Sequence, residues 1–189
     1  MANKKNKLKQ RAKYIKIRKE LTIKTELLIL KRVEDVIEKF LTQENRLLHL
    51  GIYWPLEGEI DLRPLKDSLK VPIALPSCNK DRTTHYHPWL SSKLKKDAFG
   101  IPSPLEEPKL KPSEISALLI PALAIDKNGI RLGYGGGFFD RLRSEASWES
   151  IRTYVVLPKS CISQNPLPRD SWDIPFSRWI TEDGEYKTI

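Results

Sequence analysis

The sequence predicts an α/β protein built on a parallel sheet. Leu47–Leu75 reads as strand, helix and strand. A second apolar run, Ser116–Ile125, leads through a glycine-rich stretch and helical spacing to another strand candidate, Ile151–Leu157. Such alternation suits βαβ units, whose crossover helices cover a sheet of parallel strands. The length of 189 residues gives one good-sized core and would squeeze two. One domain over residues 1–189 is therefore expected, carrying a basic helical arm over about 1–41.

From Lys7 to Leu41 the pattern is helical. Leu27, Leu30, Val33, Val36, Ile37, Phe40 and Leu41 recur at three- and four-residue spacing, the mark of one face against a core. One bent helix and two in sequence fit equally well. LLHLGIYW (Leu47–Trp54) is a short apolar run stopped by Pro55 and reads as a buried strand. Asp61 is placed to cap a short helix through Leu65 and Leu69, with Pro64 in its first turn. VPIAL (Val71–Leu75) follows as a strand. THYHPW (Thr84–Trp89) reads as a strand or a loop edge, and Phe99–Pro112 is too rich in proline for regular structure in its interior. Ser116–Ile125 is the most apolar strand candidate, Phe138–Trp148 resumes helical spacing, and Ile151–Leu157 supplies a further strand.

The formal net charge is +9, and its location matters more than its size. Residues 1–32 hold twelve Lys/Arg against two Glu, a balance of +10, which leaves −1 for the other 157 residues. The basic arm could steer RNA, a membrane surface or a phosphate-bearing small molecule, or simply be a solvated helix face. No run reaches membrane-spanning length, and MANKKNK opens no signal peptide. Cys78 and Cys161 have no metal or redox spacing, so reduced thiols in a cytoplasmic protein are expected. His49, His85 and His87 show no ligand spacing either.

Chemistry concentrates in IDKNGIRLGYGGGFFDR (Ile125–Arg141). Gly133, Gly135, Gly136 and Gly137 let a backbone point several N–H groups at one spot, a nest for phosphate oxygens. Arg131 stands upstream with a fork of donors, and Asp140 stands downstream. A carboxylate beside phosphates is best explained by Mg²⁺ between them. Neither GxxxxGK[ST] nor GxGxxG is present, and a turn needed only for helix–strand packing remains the alternative. Asp126 reads either as a turn-former at Lys127–Gly129 or as a ligand contact. In WPLEGEID, Trp54 beside Glu59 is a reasonable clamp for a flat heterocycle with N–H donors, though Trp54 would also suit a core. No Ser or Cys has a companion His at motif spacing, so any chemistry would rest on charge neutralisation and positioning at a phosphoryl group.

LIPALAIDKNGIRLGYGGGFFDRL closely resembles the signature of the 5-formyltetrahydrofolate cyclo-ligase (methenyltetrahydrofolate synthetase) family. IRKEL, GIYWPLEGEIDLRPL, FGIPSPLE and SWDIPFSRWITEDG agree in order along the chain. The resemblance implies a three-layer α/β/α sandwich, Rossmann-like, around a mostly parallel sheet. It also implies an ATP- and Mg²⁺-dependent cyclisation of 5-formyltetrahydrofolate to 5,10-methenyltetrahydrofolate through a phosphorylated imidate, releasing ADP and phosphate. By position, Arg131, Leu132, Gly133, Tyr134, Gly135, Gly136, Gly137, Phe138 and Phe139 form the implied ATP segment, with Arg131 catalytic. Tyr134–Phe138 would also border folate, with Trp54 and Glu59 as further substrate contacts. Asp140 and Asp173 are the implied metal ligands, and Arg18 reaches the phosphates from the N-terminal helix.

The family's lysine four residues before Arg18 is Tyr14 here, leaving Lys13 or Lys16 to reach round the helix. Its tyrosine pair is Phe138–Phe139. A cytoplasmic monomer with no membrane or obligate nucleic-acid partner is expected. A basic-arm RNA-binding protein is the rival from another class, though the arm lacks interleaved aromatics and any RNA-module motif.

Overall fold

The computed structural model describes residues 2–188; Met1 and Ile189, the ends of the expected single domain, lie outside the described residues. The N-terminal pattern resolves into two helices, α1 (Ala2–Arg18) and α2 (Ile23–Phe40). The break is chemical: Thr22 leaves the helical region and its hydroxyl accepts from the Thr25 amide, an N-cap that restarts the helix. Ile29, Val33 and Ile37 form the buried stripe of α2, while Leu27, expected on that face, is exposed.

The remaining elements are β1 (His49–Gly51), α3 (Leu65–Ser68), β2 (Ile73–Cys78), β3 (Thr84–Pro88), β4 (Lys95–Lys96), β5 (Pro102–Ser103), β6 (Ile115–Pro121) and β7 (Ala124–Asp126). They are followed by β8 (Arg131–Leu132), α4 (Phe138–Arg143), α5 (Ala146–Glu149), β9 (Thr153–Val156), β10 (Ile162–Ser163), β11 (Arg178–Thr181) and β12 (Gly184–Lys187). Asp61 does not cap α3. It accepts from the amide two residues on and pairs with Arg63, and Pro64 holds the cap position. His87, in β3, is buried and bridges Ser77 to the Glu107 carbonyl.

A seven-stranded sheet runs β12-β11-β9-β6-β1-β2-β3. Pairs from β2 through β11 are parallel, and the antiparallel partners β3 and β12 close the two edges. Side chains alternate across this sheet at period two. Leu118, Ile120 and Val155 enter one core with Tyr14 of α1, Leu142 of α4 and Trp148 of α5. Ala117, Leu119, Tyr154 and Val156 enter the other with Ile29, Val33 and Ile37 of α2 and Leu65 of α3. Helices therefore cover both faces, the three-layer arrangement expected.

One apolar run divides. Beyond Pro121, the stretch read as one strand leaves the main sheet and re-pairs as β7 in a small sheet ordered β10-β7-β8. Asp126, 1% exposed, accepts from the amides of Asn128, Ile130 and Leu167, so its turn-forming role is the one realised. The glycine stretch thus starts from β8, held over the carboxyl end of β6.

Candidate active site

Parallel strands leave a crevice beyond their carboxyl ends, where no further ladder partner fills the space. Here Tyr53 and Trp54 follow β1, Pro76 and Cys78 end β2, and Pro121 ends β6. All five line one cavity of about 830 Å³, together with the glycine loop and the first turns of α1. That size is within the usual range for ligand sites.

The loop keeps an open shape because of its backbone. Gly135 and Gly137 lie at φ 102° and 71°, a region costly for any residue with a Cβ. Among the described residues no backbone carbonyl accepts from the amides of Tyr134 through Gly137. Those N–H groups remain for an anion. The short α4 behind them has Gly137 at its cap and only six residues, so the donors are loop amides and cations more than a helix dipole.

The Arg131 side chain, 7% exposed, lies against the loop at Gly133. One η nitrogen donates to the Pro121 carbonyl at 3.1 Å, and the other faces Asp140 at 3.3 Å. Its guanidinium packs by the rings of Phe139 and Phe176. Its Nε, also buried, has no partner among the described atoms.

The N-terminal helix presents a face other than the expected one. Lys4, Lys7 and Arg11, at helical spacing, line the cavity. Arg11 donates from Nε to the Gly133 carbonyl at 2.9 Å and lies against Gly135, where a Cβ would sit 3.2 Å from its Cζ. Lys7 bridges Asp170 at 2.8 Å and Asp173 at 2.5 Å. Burial opposes the Lys7 charge, yet the two carboxylates outweigh it and its pKa is raised. Lys13, proposed for phosphate, is exposed and rests by the Tyr14 ring. Arg18 is buried and outside the cavity lining, donating to the Ala122 carbonyl and the Tyr134 hydroxyl. Tyr14 is core. A helix turns about 100° per residue, so Lys13 projects away from the side that carries Lys7 and Arg11.

The opposite wall suits a flat polar ring. Trp54 meets Trp89 edge-on and carries the Arg63 guanidinium 4.7 Å from its ring. Glu59 is 7% exposed, and one carboxylate oxygen accepts from the Leu56 amide at 2.9 Å. The other oxygen is buried without a partner among the described residues. Burial pushes the Glu59 pKa up, against the Leu56 amide and the neighbouring Arg18 and Arg131 charges. An orphaned, desolvated acceptor in a cavity wall is a strong demand for a ligand donor. Phe138 stands across the opening, in T-shaped contact with Phe99.

Asp140 and Asp173 both line this cavity, each held by a cation, Arg131 and Lys7 respectively. Among the described residues no three His, Cys, Asp or Glu side chains gather as a closed metal site. Two carboxylates with only oxygen donors fit a hard cation that keeps water and phosphate ligands, as Mg²⁺ does.

A profile of the 5-formyltetrahydrofolate cyclo-ligase family matches residues 3–182. The chain belongs to this family. It is 32% identical over 145 residues to the 5-formyltetrahydrofolate cyclo-ligase of Haemophilus influenzae, covering 71% of this chain and 76% of that one. The Escherichia coli protein of the same name is 30% identical over 143 residues, at 70% and 76% coverage. The NMR structure of Aquifex aeolicus 5,10-methenyltetrahydrofolate synthetase superposes with a TM-score of 0.77 at 26% identity, covering 96% of this chain and 92% of that one. A Mycoplasma pneumoniae 5,10-methenyltetrahydrofolate synthetase shares the fold at a TM-score of 0.71 and 18% identity, covering 94% and 99%. The cyclo-ligase family and its mostly parallel sandwich are thus those the sequence resembles.

Proposed function

We propose that this chain is an ATP- and Mg²⁺-dependent enzyme that cyclises 5-formyltetrahydrofolate to 5,10-methenyltetrahydrofolate, releasing ADP and phosphate. The observation that carries it is one cavity with two unlike walls. On one side are free loop amides between Arg11 and Arg131; on the other, Trp54 and the unpartnered oxygen of Glu59. The first wall suits a polyphosphate and the second a pterin with N–H donors.

In this reading no side chain is a covalent nucleophile. The formyl oxygen attacks the γ-phosphorus, an O–P bond forms, and the bond to ADP breaks. N10 of the folate then attacks the activated carbon, and phosphate departs with the proton that N10 gives up. The protein holds both substrates in line and excludes water, and that positioning is the main source of rate. Arg131 faces the charge that gathers on the transferring group. Glu59 accepts from the pterin and Trp54 packs on it. Arg11, Lys7 and the 133–137 amides hold the phosphates. Mg²⁺, held by Asp140 and Asp173 when bound, would neutralise phosphate charge.

The fate of Lys7 and Arg11, which point into the cavity, favours this reading over an RNA-binding arm. The same reading takes the enzyme as a cytoplasmic monomer. The test is absorbance: the methenyl product has a conjugated chromophore that the substrate lacks. Mixing protein, MgATP and 5-formyltetrahydrofolate should give that band with one phosphate per turnover. Conversion at the same rate without ATP would overturn the mechanism.

A further inference from the structure

Four of the five tryptophans pack by another aromatic ring: Trp54 on Trp89, Trp148 by Tyr86 and Trp179 on Tyr186. Trp172 is the exception. It lines the candidate active-site cavity and is 67% exposed. No aromatic ring or cation packs on its indole among the described residues. A large apolar face left open to water in a ligand cavity costs free energy that a flat partner would recover.

The turn beneath this indole is well fixed. The Asp173 amide donates to the Asp170 carbonyl at 3.1 Å, and the Asp170 amide donates to the Asp173 carboxylate at 2.8 Å. Arg169 donates from Nε to the Asp173 carbonyl at 3.2 Å. From α1, the Asn3 side chain donates to the Arg169 carbonyl and the Asp170 carboxylate, and Lys7 bridges Asp170 and Asp173. Bonds on both sides of Trp172 hold its backbone and leave its ring free in the cavity.

Position decides what that ring can meet. With folate at Trp54 and Glu59, the γ-phosphate must face that wall for the formyl oxygen to reach it. The nucleoside end of the same polyphosphate must then leave on the far side, past Arg11 and Lys7. Lys7 is bonded to both carboxylates of the 170–173 turn, so this path leads to Trp172. A neutral base suits the place. The glutamate end of folate would instead bring carboxylates against Asp170 and Asp173.

We propose that Trp172 stacks on the base of the nucleotide and makes the cavity prefer ATP to bare polyphosphate. The proposal rests on the nucleotide reading of the cavity and deepens it. Trp172 is a binding residue in this role, remote from the reacting atoms.

An exposed indole contributes little to the fold, so Trp172→Ala should melt as the parent chain does. By calorimetry with Mg²⁺, a non-hydrolysable ATP analogue should bind this variant about tenfold more weakly. Inorganic tripolyphosphate, which has no base, should bind the variant and the parent chain alike. Trp172→Phe should restore part of the loss, and the analogue should quench the parent chain's tryptophan emission more than that variant's. In turnover, KM for ATP should rise with kcat at saturating ATP nearly unchanged. Undiminished binding of the analogue by Trp172→Ala would overturn the proposal. So would an equal loss of both probes, which would place the effect in the 170–173 turn, or a loss confined to 5-formyltetrahydrofolate. If the parent chain itself binds neither probe, the nucleotide reading fails and takes the proposal with it, so the two failures are distinct.

Discussion

A guanidinium that donates to the Pro121 carbonyl and faces Asp140 ties the end of β6 to the start of α4. Arg131→Ala therefore changes more than the charge in the cavity. If Arg131 stabilises the transferring phosphoryl group, kcat at saturating ATP should fall about a hundredfold or more. A stability loss is expected as well, about 1 kcal/mol, since a partly buried carbonyl loses its donor. Arg131→Lys, measured alongside by thermal melting and steady-state kinetics, keeps the charge and loses the fork. Unchanged kcat in Arg131→Ala would remove it from the reacting groups. Glu59 gives a pH test. Its pKa is raised by burial, so the unfolded chain releases this proton at lower pH than the folded one. Folding stability is then lost as pH rises from the unfolded pKa through the folded one, and the penalty is complete above it. Glu59→Gln should melt higher than the parent chain near neutral pH and about the same well below the unfolded pKa, while binding folate more weakly. A melting difference that does not vary with pH would mean that the carboxylate is not penalised in the fold.

At the scale of elements, α1 separates two roles that the sequence joined. Lys7 and Arg11 reach the cavity, whereas Arg18 ends on Ala122 and Tyr134. Arg11→Ala should raise KM for ATP severalfold with little change in melting temperature. Arg18→Ala should lower stability and act on turnover only by releasing Tyr134. Deleting residues 1–8 should impair ATP use, because Lys7, which lines the cavity, goes with them. Equal ATP kinetics for Arg11→Ala and the parent chain would sink this assignment. The helix itself was legible, but its register was not. Lysines at 4, 5, 7, 9, 13, 16 and 19 occupy every side, so the charge pattern marks no face. The apolar runs at β1, β2, β6 and β9 announced their strands because both faces of a parallel sheet are buried. β11 and β12 passed unread: Arg178, Thr181, Glu185 and Lys187 make this edge hairpin look like a polar tail. The division of β6 from β7 at Pro121 was hidden by the continuous apolar composition on both sides.

Over the whole molecule, two cores share one sheet, and the cavity draws on β1, β2, β6, the glycine loop, α1 and the 170–173 turn. We take residues 1–189 as one domain, which should unfold in a single thermal transition; two separated transitions would refute that. The site's carboxylates test whether its distant parts act on one ion. In the ligand-free protein Asp140 faces Arg131 at 3.3 Å and Asp173 faces Lys7 at 2.5 Å, so each carboxylate is already neutralised. Phosphates arriving in the cavity would compete for those same cations. Without a metal, the freed carboxylates would then repel the phosphates at close range. Asp140→Asn keeps the shape and removes one negative oxygen ligand. The Mg²⁺ midpoint at fixed ATP should rise and the plateau rate should fall. Ligand-free stability should change by about 1 kcal/mol or less, because the ion pair is partly open to water. Asp173→Asn should show the same signature more weakly, since Lys7 keeps Asp170 as a partner at 2.8 Å. An Asp140→Asn titration that overlays the parent chain in both midpoint and plateau would put the metal elsewhere and leave Asp140 as the residue that orients Arg131.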